Sequence, residues 1–217
     1  MKAFTGRWRG PLAAWAIRFA MTAFAVCCLA PKSLADERIE SGQVCLDPPY
    51  EAGQTTAEQD VAALVATART LVVDFPSLDA ILQEGGPSIC LSDNLFSEHG
   101  YFDFEQFHIV VSAKLTGAKA LAVLLHELRH ADQFRVGACP GAGLSMQENA
   151  RAVFAMEADA NAVVLLVAWK HKVDGDSALW DSLARGDNVA DIAQRFAGVM
   201  LTSSDPADAA AAAFEQW

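Results

Sequence analysis

Two histidines and a glutamate in the segment 121–130 have the residue types and the spacing of a metal site. His126 and His130 are four residues apart, and Glu127 directly follows the first histidine. Four residues are just over one helical turn, so both imidazoles leave the same face of a helix, with about 5–6 Å between their Cβ atoms. Two imidazole nitrogens at this spacing can bind one metal ion, with Glu127 beside its open side. The H-E-x-x-H arrangement therefore predicts a zinc site with two histidine ligands and a glutamate as general base.

The residues before this motif favour a buried helix. Segment 114–125 is nearly all apolar and rich in good helix formers, and a helix that is apolar on all sides is buried. Burying two histidines and a glutamate at the end of such a helix costs free energy unless their polar atoms have partners. A metal ion would be such a partner. The alternative is a solvent-facing helix end with two incidental histidines, because short motifs also occur by chance.

A third protein ligand must come from elsewhere in the chain. Catalytic zinc takes three protein ligands and one water molecule. The metzincin continuation requires a glycine three residues and a histidine six residues after the second histidine, but these positions hold Gln133 and Val136. The following helix is the expected source, and its candidates are Glu148, Glu157 and Asp159. These acids could instead be ordinary polar positions on an alanine-rich helix.

The segment that begins at Glu157 resembles a known ligand helix. Its sequence, Glu157-Ala-Asp-Ala-Asn161, follows the E-x-x-A-D/N pattern of gluzincin metallopeptidases. The resemblance implies that Glu157 is the third zinc ligand. It also implies that Asn161, one turn later on the same face, supports a histidine ligand by a hydrogen bond. Asp159 points elsewhere, so it either supports the site in the same way or faces solvent.

A wider resemblance covers residues 105–165. The run His126-Glu-Leu-Arg-His-Ala-Asp-Gln133, followed by a glutamate-containing helix, resembles small exported metallopeptidases of bacteria. It implies a zincin-like domain in which the strand before the motif helix, at 107–112, offers its edge to an extended peptide. It also implies that a zinc-activated water attacks a peptide bond while Glu127 takes and then delivers the proton.

A different class of function is also compatible with these residues. The chain could be a zinc-bound binding or assembly protein that kept a peptidase-like fold with little turnover. The intact Glu127 argues against this alternative, because binding alone needs no general base. Under either hypothesis the expected cofactor is Zn²⁺. The expected partner of the enzyme is a peptide or protein, whose sequence these residues do not specify.

The first 35 residues have the pattern of an export signal. They carry five basic residues and no acid, then an apolar run at 19–30, then Ser33-Leu-Ala35 with small residues at the −3 and −1 positions of a cleavage site. This pattern is typical of a secretory signal peptide. The run is short for a permanent anchor, which needs about 20 residues; the alternative is an uncleaved anchor that extends back to Leu12. We therefore expect an exported protein, periplasmic or secreted, with one mature domain at 36–217 and no stable membrane anchor.

The mature chain is strongly acidic. Residues 1–35 hold five of the 16 basic residues and none of the 27 acidic residues, which leaves a net charge near −16. Such a surface repels nucleic acid and anionic membranes, so neither is expected as a partner.

Cysteine usage predicts one disulfide. The mature chain keeps Cys45, Cys90 and Cys139, and an odd number in an exported protein implies one disulfide with one free thiol, or a link between molecules. Cys45 with Cys90 is the preferred pair because both lie in short strand-like runs, and Cys139 is the alternative partner. No C-x-x-C spacing occurs, so a cysteine-based zinc site is not supported.

The remaining pattern predicts an α+β fold that is mostly helical, with a small sheet packed on the motif helix. Possible capping boxes, at Thr55 with Glu58 and at Ser145 with Glu148, mark the starts of two helices. Strands are expected where β-branched residues concentrate. The expected elements are a helix that begins at Thr55 or Thr56, helices over 116–135, 146–170, 177–185, 188–200 and after Asp205, and strands over 89–91 and 107–112.

Overall fold

A computed structural model describes residues 42–95 and 99–217 of the chain. The predicted signal segment, residues 1–35, lies outside the described residues. The fold is α+β and mostly helical with one small sheet, as the sequence predicts. In chain order the elements are β1 (Gln43–Leu46), α1 (Thr56–Val72), α2 (Pro76–Ile81), β2 (Ser88–Ser92), β3 (Gly100–Asp103), β4 (His108–Ser112), α3 (Gly117–Arg135), α4 (Met146–Val173), α5 (Ala178–Ala184), α6 (Ala190–Ser203) and α7 (Pro206–Gln216).

The four strands form one mixed sheet in the order β1-β2-β4-β3. The pair β2 and β4 is parallel, and the two outer pairs are antiparallel. Ile89 of β2 and Ile109 of β4 are register partners, and both are fully buried in the core. Both β3 and β4 contact α3. The predicted packing of a small sheet on the motif helix is therefore confirmed.

The expectation about the edge of this sheet is wrong. The strand expected to offer its edge is β4, but it lies between β2 and β3 and is paired on both sides. The edge strand next to β4 is β3. Its sequence signal is weak because it has four residues and begins with a glycine, a poor strand former. A tight turn between β3 and β4 places β3 beside β4. The carboxylate of Asp103 accepts hydrogen bonds from the backbone N–H groups of Glu105 and Gln106, at 2.9 and 3.0 Å, which returns the chain to β4.

The helix α3 is the centre of the hydrophobic core. Its residues Leu124, Leu125 and Leu128 are fully buried, as predicted for a helix that is apolar on all sides. It contacts α1, α2, α4, α5 and the sheet. The histidines of the motif therefore lie on a helix that is held by packing along most of its length, which limits their movement.

The helix α4 brings the acidic candidates to α3. Ser145 and Glu148 form the predicted capping box at its start, and Thr55 forms the other predicted box at the start of α1. Its first turns are exposed, whereas its later part is buried at Ala160 and Leu165 and packs against α3. By length and composition α4 could cross a membrane. The core helix of a soluble protein meets the same criterion, and the later part of α4 packs in the hydrophobic core.

The predicted disulfide is confirmed. Cys45 and Cys90 are register partners in β1 and β2, and a disulfide joins them across the sheet. Cys139 is a free thiol and exposed, in the loop between α3 and α4. A structural disulfide is consistent with an oxidising environment outside the cytoplasm.

Candidate active site

The three sequence-predicted ligands converge between α3 and α4. His126 and His130 leave the same face of α3, and Glu157 reaches them from α4. The Nε2 atom of His126 lies 3.0 Å from Nε2 of His130 and 3.1 Å from Oε2 of Glu157. The Nε2 atom of His130 lies 3.3 Å from Oε1 of Glu157. One ligand atom from each residue thus lies within 4.8 Å of the other two.

These distances fit a single metal ion in tetrahedral coordination. Metal–nitrogen and metal–oxygen bonds of about 2.0–2.1 Å place neighbouring ligands about 3.3 Å apart along the edges of a tetrahedron. The two nitrogens are 3.0 Å apart, and they lie 3.1 and 3.3 Å from Oε2 and Oε1 of Glu157, respectively, so each separation is close to that value. Two imidazole nitrogens that face each other also need a proton or another cation between them, because each carries a lone pair when neutral. Two nitrogens and one carboxylate are a donor set that suits a catalytic divalent metal.

The two imidazoles stabilise the ionised carboxylate of Glu157, and this carboxylate stabilises the charged form of His130. Hydrogen bonds from His126 and His130 hold the pKa of Glu157 well below its usual value, although burial opposes this effect. Burial on its own would lower the pKa of His130, but hydrogen bonds to Glu157 and Gln133, together with the charge of Glu127, raise it overall. The cluster therefore keeps an anionic oxygen beside two imidazole nitrogens, which is an arrangement that attracts a cation.

Glu127 lies beside this cluster and is only 7% exposed. Burial raises the pKa of Glu127, and the nearby His126 and His130 offset part of that rise. The backbone of Phe102, in the edge strand β3, also lowers the pKa of Glu127, by less than the two histidines do. A carboxylate whose pKa is raised towards neutral accepts a proton more readily, which suits a general base.

Gly100 allows β3 to approach α3 this closely. A Cβ atom at this position would lie 2.5 Å from Cγ1 of Val123 and 2.8 Å from the carbonyl oxygen of Val110. It would lie 3.6 Å from Cγ of Glu127. A side chain at Gly100 would therefore push the edge strand away from the helix that carries Glu127.

Gly100→Ala is expected to destabilise the protein. Because the added methyl group would overlap a backbone oxygen and a packed valine, the free energy of unfolding should fall by about 1–3 kcal/mol, the usual cost of overpacking. Urea denaturation of the two proteins measures the difference. Gly141→Ala is the control, since a Cβ atom at Gly141 meets nothing within 4 Å. Equal destabilisation by the two substitutions would contradict the close approach of β3 to α3.

The residue that supports a histidine of the cluster is Gln133. Its Oε1 atom lies 2.8 Å from Nδ1 of His130. Asn161, which the resemblance assigns to this role, instead donates from Nδ2 to the backbone oxygen of Glu157 at 2.9 Å. Asp159 does not contact the histidines directly. It accepts hydrogen bonds from Gln133 and Arg129, and so holds the residue that contacts His130. A helical spacing of three residues between His130 and Gln133 was the sequence signal that could have identified this contact.

A cavity of about 520 Å³ opens beside the cluster. His126 and Glu127 form part of its wall, together with Gly100 at the start of β3. Most of the remaining wall is apolar and comes from α3, α4 and the segment from α5 to α6. Its apolar residues are Leu115, Ala122, Val123, Val164, Leu165, Leu183 and Val189. The polar groups of the same cavity come from His99, Lys119, Asn161, Ser182, Asp187 and Asn188. The cavity therefore combines apolar walls with several polar contacts, as ligand pockets do.

Comparison with known proteins agrees with this geometry. The family described as "Putative metallopeptidase family (DUF6782)" matches residues 34–217, which is most of the chain. Searches of curated proteins and of solved structures found no significant match. The match includes the motif helix and the acidic helix that faces it, so the residues that converge on one point all lie within the shared region. This chain therefore belongs to that family.

Proposed function

We propose that this protein is a zinc-dependent peptidase of the zincin type, with His126, His130 and Glu157 as the metal ligands and Glu127 as the general base. The observation that carries the proposal is the convergence of two Nε2 atoms and a carboxylate at 3.0–3.3 Å from one another. A buried glutamate directly follows the first of these ligands on the same helix. This set supplies both a metal site and a proton acceptor for hydrolysis.

Zinc is the metal that this donor set favours. Imidazole nitrogens with one carboxylate oxygen are typical ligands of catalytic zinc sites, which keep one position open. Ca²⁺ and Mg²⁺ prefer sites made of oxygen ligands. When bound, zinc would supply Lewis acidity, which polarises a peptide carbonyl and makes a water molecule a stronger nucleophile at neutral pH.

The protein's own residues handle the proton. Glu127 would accept a proton from the attacking water at its carboxylate and then donate that proton to the nitrogen of the leaving amine. Burial raises the pKa of Glu127, so the protonated form that must exist between these two steps is less costly than it would be in water.

A peptide substrate fits the surface around the cluster. The edge strand β3 passes beside Glu127, and an extended peptide can add to the edge of a sheet by backbone hydrogen bonds. The apolar cavity next to His126 would take one side chain of that peptide. We expect cleavage sites to carry a large apolar residue beside the scissile bond, since the walls offer mostly apolar contacts.

The proposed location is outside the cytoplasm. The disulfide between Cys45 and Cys90 supports an oxidising compartment, and the N-terminal sequence pattern favours export. We propose a peptide or protein as the partner there, and neither nucleic acid nor an anionic membrane surface, because the mature chain is strongly acidic.

Metal analysis of the freshly purified protein tests the proposed site. Protons compete with a metal for the imidazole nitrogens, so the measurement is made at a pH above about 7. We expect one zinc ion per chain by elemental analysis, removed by a chelator and restored by added zinc. Protein that is folded but does not take up zinc under these conditions would contradict the proposal.

A further inference from the structure

Gln133 is a buried amide next to the proposed metal site. It lies on α3 three residues after His130 and is only 3% exposed. A buried amide must find partners for both its N–H groups and its oxygen, because leaving them unpaired is costly. All of the hydrogen-bonding partners of this side chain are on two elements, α3 and α4.

The partners of the amide nitrogen fix which way the amide points. Nε2 of Gln133 donates to the backbone oxygen of Met156 at 2.9 Å and to Oδ2 of Asp159 at 2.7 Å. A carbonyl and a carboxylate only accept hydrogen bonds, so the NH2 end of the amide must face them. The amide oxygen is therefore the atom that faces His130.

The orientation of the amide in turn fixes the histidine. Oε1 of Gln133 lies 2.8 Å from Nδ1 of His130, and an amide oxygen can only accept, so Nδ1 must carry a proton. In the neutral imidazole this leaves the lone pair on Nε2. Nε2 is the atom that faces His126 and Glu157, and a metal binds the nitrogen that has no proton.

Asp159 holds the glutamine in place and is itself held. Nε of Arg129 donates to the same Oδ2 atom of Asp159 at 2.6 Å. Arg129 also donates to Asp132, which is 1% exposed and takes a second hydrogen bond from Arg135. These contacts join α3 to the part of α4 that carries Glu157. Restraining the amide through charged partners makes its position more rigid than a hydrogen bond to water would.

We propose that Gln133 is a positioning residue of the metal site, whose amide oxygen orients the ring of His130 and selects its Nδ1–H form, with Asp159 and Met156 fixing the amide. The inference rests on the proposed function, since it concerns the same site. It assigns to an amide on the motif helix the role that the gluzincin resemblance assigns to Asn161 on α4. It also explains why an amide suits position 133, because a carboxylate there could not donate to Asp159, 2.7 Å away, or to Met156.

Zinc affinity measured by competition with a chromophoric chelator tests the proposal on the full chain. Gln133→Met keeps the side-chain volume but removes all three hydrogen bonds, and loss of such a partner typically weakens metal binding about 10–100-fold. Asn161→Ala is the matched control. Asn161 is also an amide next to the site, but among the described residues its side chain bonds only to the backbone of Glu157. We expect the control to bind zinc within about threefold of the wild type, well inside that range.

NMR of the Nδ1 proton of His130 gives a second measurement, which does not depend on zinc affinity or on activity. In nitrogen-15 labelled, zinc-loaded wild type, the Nδ1 proton of His130 should exchange slowly and give a visible resonance, because it is hydrogen-bonded and buried. In Gln133→Met that resonance should be lost, and in Asn161→Ala it should remain. A purely structural role of Gln133 in joining α3 to α4 would lower stability without abolishing this resonance.

The outcomes separate this inference from the proposed function. Wild-type protein that binds no zinc overturns both. Wild type and Gln133→Met that bind zinc equally overturn only the role of Gln133, as does a larger loss in Asn161→Ala. If Gln133→Met does not fold, the wild-type spectrum still tests the proposal. The absence of a slowly exchanging Nδ1 proton on His130 in that spectrum would contradict it.

Discussion

Glu127→Gln is expected to abolish most of the peptide hydrolysis while leaving one zinc ion per chain in place. The substitution keeps the shape of the side chain and removes its ability to accept a proton. General acid–base catalysis contributes typically about 10²–10⁴-fold to a rate, so kcat/KM should fall by that factor. Because Glu127 is next to the ligands but is not one of them, the zinc content should not change. Kinetics on a cleaved peptide and elemental analysis of the same sample measure both effects.

The control for this variant is Glu84→Gln. Glu84 is an exposed glutamate in the turn before β2, so the same chemical change is made away from the site. It should retain wild-type kcat/KM. Activity of Glu127→Gln close to that of the wild type would contradict the proposed mechanism, even if the metal site were correct.

Glu157→Gln is expected to have the second largest effect, the loss of tightly bound zinc. It replaces the carboxylate, whose Oε2 lies 3.1 Å from Nε2 of His126 and whose Oε1 lies 3.3 Å from Nε2 of His130, with a neutral amide. Loss of a direct ligand should exceed the roughly 10–100-fold loss typical of residues that only support a ligand. Hydrolysis should fall with zinc occupancy and recover in part at high zinc concentration. Chelator competition and activity at increasing zinc measure the two effects.

Glu148→Gln is the control for the third ligand. Sequence alone leaves Glu148, Glu157 and Asp159 as candidates, and the structure places Glu148 in the capping box at the start of α4. Its variant should bind zinc as the wild type does. Loss of zinc from Glu148→Gln, or unchanged binding by Glu157→Gln, would contradict the assigned ligand set.

The helical part of this fold is predictable because its signals are local. The capping boxes at Thr55 and Ser145 require only residues three positions apart, and the structure has both. The buried helix before His126 is encoded by composition alone. The spacing of the histidines on α3 then follows from helical geometry. The disulfide was predictable for a similar reason, because two of the three mature cysteines lie in apolar strand-like runs.

The parts that sequence alone did not predict depend on contacts between distant segments. The strand β3 begins with Gly100, which has low strand propensity, and the strand exists because it pairs with β4 and packs on α3. Gln133 could be placed on the same face as His130, but only the position of Asp159 on the other helix shows which way its amide points. The cavity has walls from α5 and the segment after it, which no motif connects to His126.

Incubation of the zinc-loaded protein with a peptide library tests the central claim most directly. The library is treated with wild type, with wild type plus chelator, and with Glu127→Gln, and the products are identified by mass spectrometry. We predict new peptide termini in the first sample only, enriched for large apolar residues beside the cleaved bond. Restoring zinc after chelation should restore the same cleavages. Cleavage that persists in the chelated sample or in Glu127→Gln, or a zinc-loaded wild type that cleaves nothing, would contradict a zinc-dependent peptidase that uses Glu127 as its base.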